Sequence, residues 1–241
     1  MAPQVDKTSP QVYARILGTL YLIIIIVGAL GQIFIRGALI TPGDAISTAK
    51  NMMAAESLWR LGIAGDIMMH VLDIPIMLML YILLKPVNRN LALLAVLFNL
   101  IQTAVLVANK LNLLMPLFLL ENADHLSAFE PNQRYELGYL FIQAHDIGFG
   151  IGLIFFGFAC LTYGYLIFKS GYFPKAIGVL VMIAGLSYLT NSFTLILVPA
   201  YAGITMIVLV FALIGELSLA LWLLVKGVNL AIWEKRIHES A

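Results

Sequence analysis

The chain has 241 residues, 61% hydrophobic and 11% charged, with a net charge of +1 and a mean hydropathy of +0.96. Soluble domains carry about 25% charged residues, so this composition excludes an ordinary water-soluble globule and implies an integral membrane protein, read as a single transmembrane domain. The small net charge gives no basis for a nucleic-acid partner, and one cysteine, Cys160, excludes an internal disulfide.

In chain order, residues 1–10 are polar, contain two prolines and read as a tail. The apolar run over 13–35 is too long for a secretory leader core and reads as a retained first span. Thr41-Pro42-Gly43-Asp44 reads as a turn. Asp44 is placed to cap a short amphipathic helix over 45–56 that suits a membrane interface. A second span covers 58–84 and ends at Lys85-Pro86. The third covers 91–120, followed by a polar loop over 121–136. The fourth covers 137–168 and is broken by Lys169-Ser170-Gly171. The fifth covers 176–198, before Pro199, and the sixth 204–225, before a charged tail. At about 1.5 Å per residue each is long enough for the hydrocarbon layer. The expected fold is all-α, a bundle of about six transmembrane helices.

The loops differ in charge. Lys7, Arg15, Lys85, Arg89, Lys169, Lys175, Lys226, Lys235 and Arg236 fall on one side. The other side holds Arg36, Lys50, Arg60 and Arg134, and most of the acids: Asp44, Glu56, Glu121, Asp124, Glu130 and Glu136. The positive-inside rule then places both termini in the cytoplasm.

The second span carries Asp66, His70 and Asp73 at i, i+4 and i+7, one helical face. A charged group deep in a bilayer costs a few kcal/mol or more, so that face must look at protein, water or an ion. Gln32 lies on span one, Gln102, Asn109 and Lys110 on span three, His145 and Asp146 on span four, Asn191 on span five and Glu216 on span six. By depth, Asp66, Asn109, Lys110, His145 and Asn191 fall in the half away from the termini. His70, Asp73, Gln102 and Glu216 sit nearer the midplane. The set predicts a polar pocket opening outward and binding a small molecule, ion or lipid, as a transporter or sensor does. Lys110 is the expected partner of Asp66, with His145 next, and such a pair serves equally as a structural tie. His70 also reads as a neutral histidine bonded to a carbonyl. His145 shares a face with Gly148 and Gly152, a small-residue pair that also serves ordinary packing. Glu216 has no partner within its own span and must find one across the bundle or hold a proton. Cys160 and the methionines 52, 53, 68 and 69 read as packing residues.

Asp66, His70, Asp73 and His145 are also candidate ligands for a divalent metal, which makes a metal-dependent intramembrane hydrolase the enzymatic alternative. No H-E-x-x-H or C-x-x-C spacing supports it, and His70 with His145 is a single pair for haem. No nucleophile elbow, P-loop or dinucleotide fingerprint is present. In a third reading the polar set only ties helices together.

The stretches ARILGTLYL, ESLWRLGIAGD, LLKPVNRNLALLA, HDIGFGIGLIFFG, SGYFPKAIGVLVMIAG and GELSLALWLLVKGVN span nearly the whole chain. In them the chain resembles a bacterial multi-pass membrane family catalogued as domain of unknown function 4386. The resemblance implies an inner-membrane protein of about six helices and no assigned activity. Positions Arg60, Asp66, Asp73, His145 and Glu216 match that family's polar signature; His70 and Asp146 do not carry over.

Overall fold

The computed structural model describes residues 9–121, 126 and 128–240. The expected tail lies outside them except for Ser9 and Pro10, as do Lys7 and Asp124 of the charge pattern. Among the described residues all regular structure is helical. Six helices are long and apolar enough to cross a membrane: Pro10–Leu39, Glu56–Leu84, Arg89–Glu121, Pro131–Ser170, Lys175–Leu197 and Pro199–Val225. That is the make-up of a multi-pass membrane protein.

The spans are not uniform rods. Helix α1 (Pro10–Leu30) runs into a π-helical stretch, Gly31–Arg36, before a last turn at Gly37–Leu39. There the Gly37 N–H bonds the Gln32 carbonyl, five residues back. The added residue rotates the turn after it by about 100° relative to a regular α-helix. Helix α2 (Ala45–Ala54) is short, and α3 (Glu56–Leu84) contains Pro75, which removes one N–H from its ladder. The third span, expected as one helix, is two: α4 (Arg89–Asn109) and α5 (Leu111–Glu121). They meet at Lys110, whose N–H bonds Val107, three residues back, at 3.1 Å. Next in the chain come α6 (Pro131–Ser170), α7 (Lys175–Leu197), α8 (Leu209–Val225) and α9 (Leu230–Ser240).

The chain divides into two compact units, and α1, α3, α4 and α6 contribute to both. The first unit comprises residues to Ile23, Asp73–Gln102 and Leu153 onward. It is built on backbone close approach. A Cβ added at Gly164 would lie 2.7 Å from the Gly178 carbonyl oxygen, and one at Gly185 2.7 Å from that of Gly157. A Cβ at Gly18 would lie 2.8 Å from the Ala220 carbonyl oxygen. Membrane helices associate through such small-residue contacts because burial against lipid supplies no hydrophobic drive. At the end of α8, Gln11 Nε2 donates to the Lys226 carbonyl (2.9 Å) and Arg15 Nη1 to that of Leu224 (2.8 Å), satisfying terminal acceptors. The Tyr172 hydroxyl donates to the Leu83 carbonyl at 2.6 Å, and burial pushes this phenol above its usual range.

The second unit comprises Ile24–Leu72 and Thr103–Gly152. Its apolar core joins Leu39, Met52, Trp59, Ile63, Leu113, Leu117 and Ile142. Trp59 Nε1 donates to the Leu113 carbonyl at 2.9 Å, so the large indole is packed and polar-satisfied. Asp44 caps α2 as its sequence position implies: its carboxylate accepts from the Ser47 N–H at 2.8 Å and the Ser47 hydroxyl at 2.6 Å. The turn before it needs Gly43, at φ +76°. Met52 enters the core and Met53 is exposed, as their places on α2 require.

Candidate functional site

Asp66 is 1% exposed, and one of its oxygens, Oδ2, accepts from two cations. Arg36 Nη1 reaches it at 2.7 Å and Lys110 Nζ at 2.8 Å. Each cation is delivered by an irregular stretch of helix, Arg36 by the π-helical turn and Lys110 by the α4–α5 junction. Gln32 Oε1 accepts from Arg36 Nε at 2.7 Å and fixes the guanidinium from behind. A Cβ at Gly31 would lie 3.5 Å from Arg36 Nη2 and 3.6 Å from Asp66 Oδ1, ordinary contact distances, so Gly31 abuts the pair.

Lys110 Nζ also lies 3.4 Å from His145 Nε2, and His145 Nδ1 lies 3.4 Å from Asp146 Oδ1. An ammonium can only donate, so this arrangement assigns the lone pair to Nε2 and the ring proton to Nδ1, facing Asp146. His145 is buried while the Asp146 side chain is 73% exposed, as neighbouring positions on a helix should be. The glycine face beside His145 has a definite occupant. Asn109 Nδ2 donates to the His145 carbonyl at 2.8 Å, and Asn112 Nδ2 donates to Asn109 Oδ1 at 2.9 Å. A Cβ at Gly148 would overlap the Asn109 carboxamide, and one at Gly152 would strike Leu106.

Of the nine residues expected in one pocket, Asp66, His70, Asn109, Lys110 and His145 belong to the second unit, and all five are buried. Asp73, Gln102, Asn191 and Glu216 belong to the first. There Asp73 and Gln102 are buried, Asn191 and Glu216 half-buried, and the Tyr188 hydroxyl donates to Glu216 Oε1. Among the described residues no three His, Cys, Asp or Glu side chains are placed to hold a metal together. The four candidate metal ligands Asp66, His70, Asp73 and His145 are therefore not gathered into one site. The two cations on Asp66 add like-charge repulsion against a metal ion at that carboxylate.

Arg36 and Tyr188 are the members that sequence reasoning passed over. Ending span one at Ile35 made Arg36 a loop residue, yet Gln32 and Arg36 at i and i+4, following Gly31, are a readable signal. Tyr188 sits in an apolar run, where a phenol carries no pattern of its own. The second unit also contains a cavity of about 10 Å³, the size of one water, lined by Thr48, Met52, Arg134, Tyr139 and Ile142 among others. Among the described residues Arg134 Nε there is buried without a partner. Asp66, Lys110 and His145 do not line that cavity.

Comparison with known proteins bears on the chain as a whole. A family model described as Domain of unknown function (DUF4386) matches residues 16–227. A protein of Archaeoglobus fulgidus, titled "Uncharacterized protein", is 30% identical over 169 residues, which cover 70% of this chain and 85% of the relative. No solved structure matches.

Proposed function

This chain belongs to the family described as Domain of unknown function (DUF4386), and from its own side chains we propose that it binds a small anionic molecule within the membrane, as a transporter or sensor does. The observation that carries this reading is the pair of cations on Asp66 Oδ2. Two positive groups meet one carboxylate, so one positive charge is left over in a buried setting. An anion that enters against Arg36 or Lys110 offsets that surplus positive charge. Lys110 is the mobile half of the pair: its ammonium is a point charge on a flexible stem, whereas Gln32 fixes the Arg36 guanidinium. His145 Nε2, beside Lys110, offers a second polar contact. In this reading the site opens to the side opposite the termini, both termini are cytoplasmic, and the membrane is the cytoplasmic (inner) one.

A soluble carboxylate or phosphate and a lipid phosphate share the required chemistry. Purified protein in phosphatidylcholine discs is therefore tested for thermal stabilisation by succinate, by inorganic phosphate and by phosphatidylglycerol in the disc. Stabilisation by one of the three in wild type, lost in a folded Lys110→Met variant, supports the reading. Every member of the cluster already has a protein partner, which favours a purely structural tie as the second reading. Absence of stabilisation by all three probes, or stabilisation that survives in Lys110→Met, assigns the cluster to that role. Orientation is checked by single cysteines: Asn88→Cys should resist an impermeant maleimide added to whole cells, and Glu130→Cys should react.

A further inference from the structure

The sixth span is the most apolar of the six and carries one acidic residue, Glu216 on α8. Its neighbour Gly215 brings α8 against α7: a Cβ there would lie 2.9 Å from that of Ala184. One turn beyond Ala184, Tyr188 directs its hydroxyl to Glu216 Oε1. The titratable groups facing Glu216 come from four helices, namely Tyr188 on α7, Asp73 on α3, Tyr21 on α1 and Cys160 on α6. None of them is a cation, and among the described residues Glu216 has no Lys, Arg or His partner within ion-pair distance. Among the described residues Ser192 Oγ, one turn along from Tyr188, is buried with no hydrogen-bond partner, and Ser192 is 0% exposed.

A carboxylate with no cation to offset it is expensive in hydrocarbon, whereas a carboxylic acid is not. A donor hydroxyl aimed at its oxygen supports the ionised form during the time the proton is away. We propose that Glu216 is an exchangeable proton site: it releases its proton to water, is held as the carboxylate by Tyr188, and takes a proton back on the same group. The unpartnered Ser192 hydroxyl, one turn from Tyr188, is a place where a water can stand. The proposal rests on the first unit alone and does not depend on anion binding at Asp66.

Glu216 is half-buried within the protein, so part of its surface is open to the surroundings of the span, where a lipophilic reagent dissolves. Dicyclohexylcarbodiimide adds to a protonated carboxyl and leaves one whole reagent molecule attached. Full-length protein in lipid discs is treated between pH 5 and pH 10, and the modified peptide is identified by mass spectrometry. The expected result is a single adduct on Glu216, absent in Glu216→Gln, with a rate that falls about tenfold per pH unit above its midpoint. Tyr188→Phe keeps the carboxyl and removes the donor to the ionised form, so it should label faster than wild type on the alkaline side; a purely packing role for Tyr188 would not produce that change. Labelling that is independent of pH, adducts that avoid Glu216 in folded protein, or protection by sodium at fixed pH would each overturn the proposal, the last in favour of a sodium site.

Discussion

In the unit made of Ile24–Leu72 and Thr103–Gly152, the buried Asp66 oxygen accepts from two cations; in the other unit, the Glu216 oxygen accepts from a phenol and, among the described residues, has no cation within ion-pair distance. The first arrangement needs irregular backbone. A π-helical turn and an interrupted span bring Arg36 and Lys110 to one atom. The second uses tight backbone packing, with Gly215 seated against Ala184 and α7 presenting Tyr188 one turn further on. The difference teaches that a carboxyl group inside a span is met in two separate ways, by cations that neutralise it or by a neutral donor alone. Only the first leaves a fixed charge pattern for a ligand to read.

The comparison breaks most severely at Asp66. Asp66→Ala strands two buried cations, and the expected loss is about 3–5 kcal/mol of stability. Lys110→Met should cost less, about 1–3 kcal/mol, because Arg36 still meets the carboxylate. In the double variant the losses should fall short of their sum. Thermal unfolding of the four proteins in one detergent measures this, and strict additivity would mean that the pair carries no coupling. The backbone-built unit should break at its glycines instead. Gly164→Ala drives a methyl group to within 2.7 Å of the Gly178 carbonyl oxygen, an overpacking expected to cost about 1–3 kcal/mol. Gly203→Ala, where nothing lies within 4 Å, is the matched control and should leave unfolding unchanged.

Glu216→Gln sharpens the contrast. The amide keeps an acceptor for Tyr188 and removes only the ionisable proton, so stability should change by less than about 1 kcal/mol. If Glu216→Gln proves as damaging as Asp66→Ala, the carboxylate there is ionised and paired, and the two units do not differ in how they tolerate an acid.

The six spans were legible because length and hydropathy decide them. Asp66 was legible as an inward-facing group because the cost of exposing it to lipid is large and its face is shared with His70 and Asp73. Lys110 was legible by charge alone. Arg36 was missed: its spacing from Gln32 was readable, but a π-turn is a local choice between hydrogen bonds five and four residues back and leaves no apolar period to carry the span past Ile35. The break at Lys110 was hidden for a related reason: apolar residues resume directly after Asn109-Lys110-Leu111-Asn112, so length and hydropathy read one span. The role of Gly148 needed the structure, since only the Asn109 side chain filling its space distinguishes a slot from ordinary close packing.

The smallest expected effect concerns Asp44, at the start of α2 in the ion-cluster unit. The Ser47 hydroxyl and N–H hold its carboxyl below its ordinary value of 3.8. A carboxyl depressed on folding contributes stability above its unfolded value, and that contribution disappears as pH falls through the folded value. The cap should therefore be intact at neutral pH and weaken only below about pH 4. Because the group is exposed, solvent screening keeps the effect small. Asp44→Asn keeps a capping oxygen without the titration, and Asp44→Ala loses the cap itself. Hydrogen exchange in the 45–54 segment, corrected for intrinsic rates, reads this directly. Wild-type protection should fall toward acid while Asp44→Asn stays flat, and Asp44→Ala should exchange fastest at every pH. Parallel pH curves for wild type and Asp44→Asn would mean that the charge adds nothing to the capping hydrogen bonds.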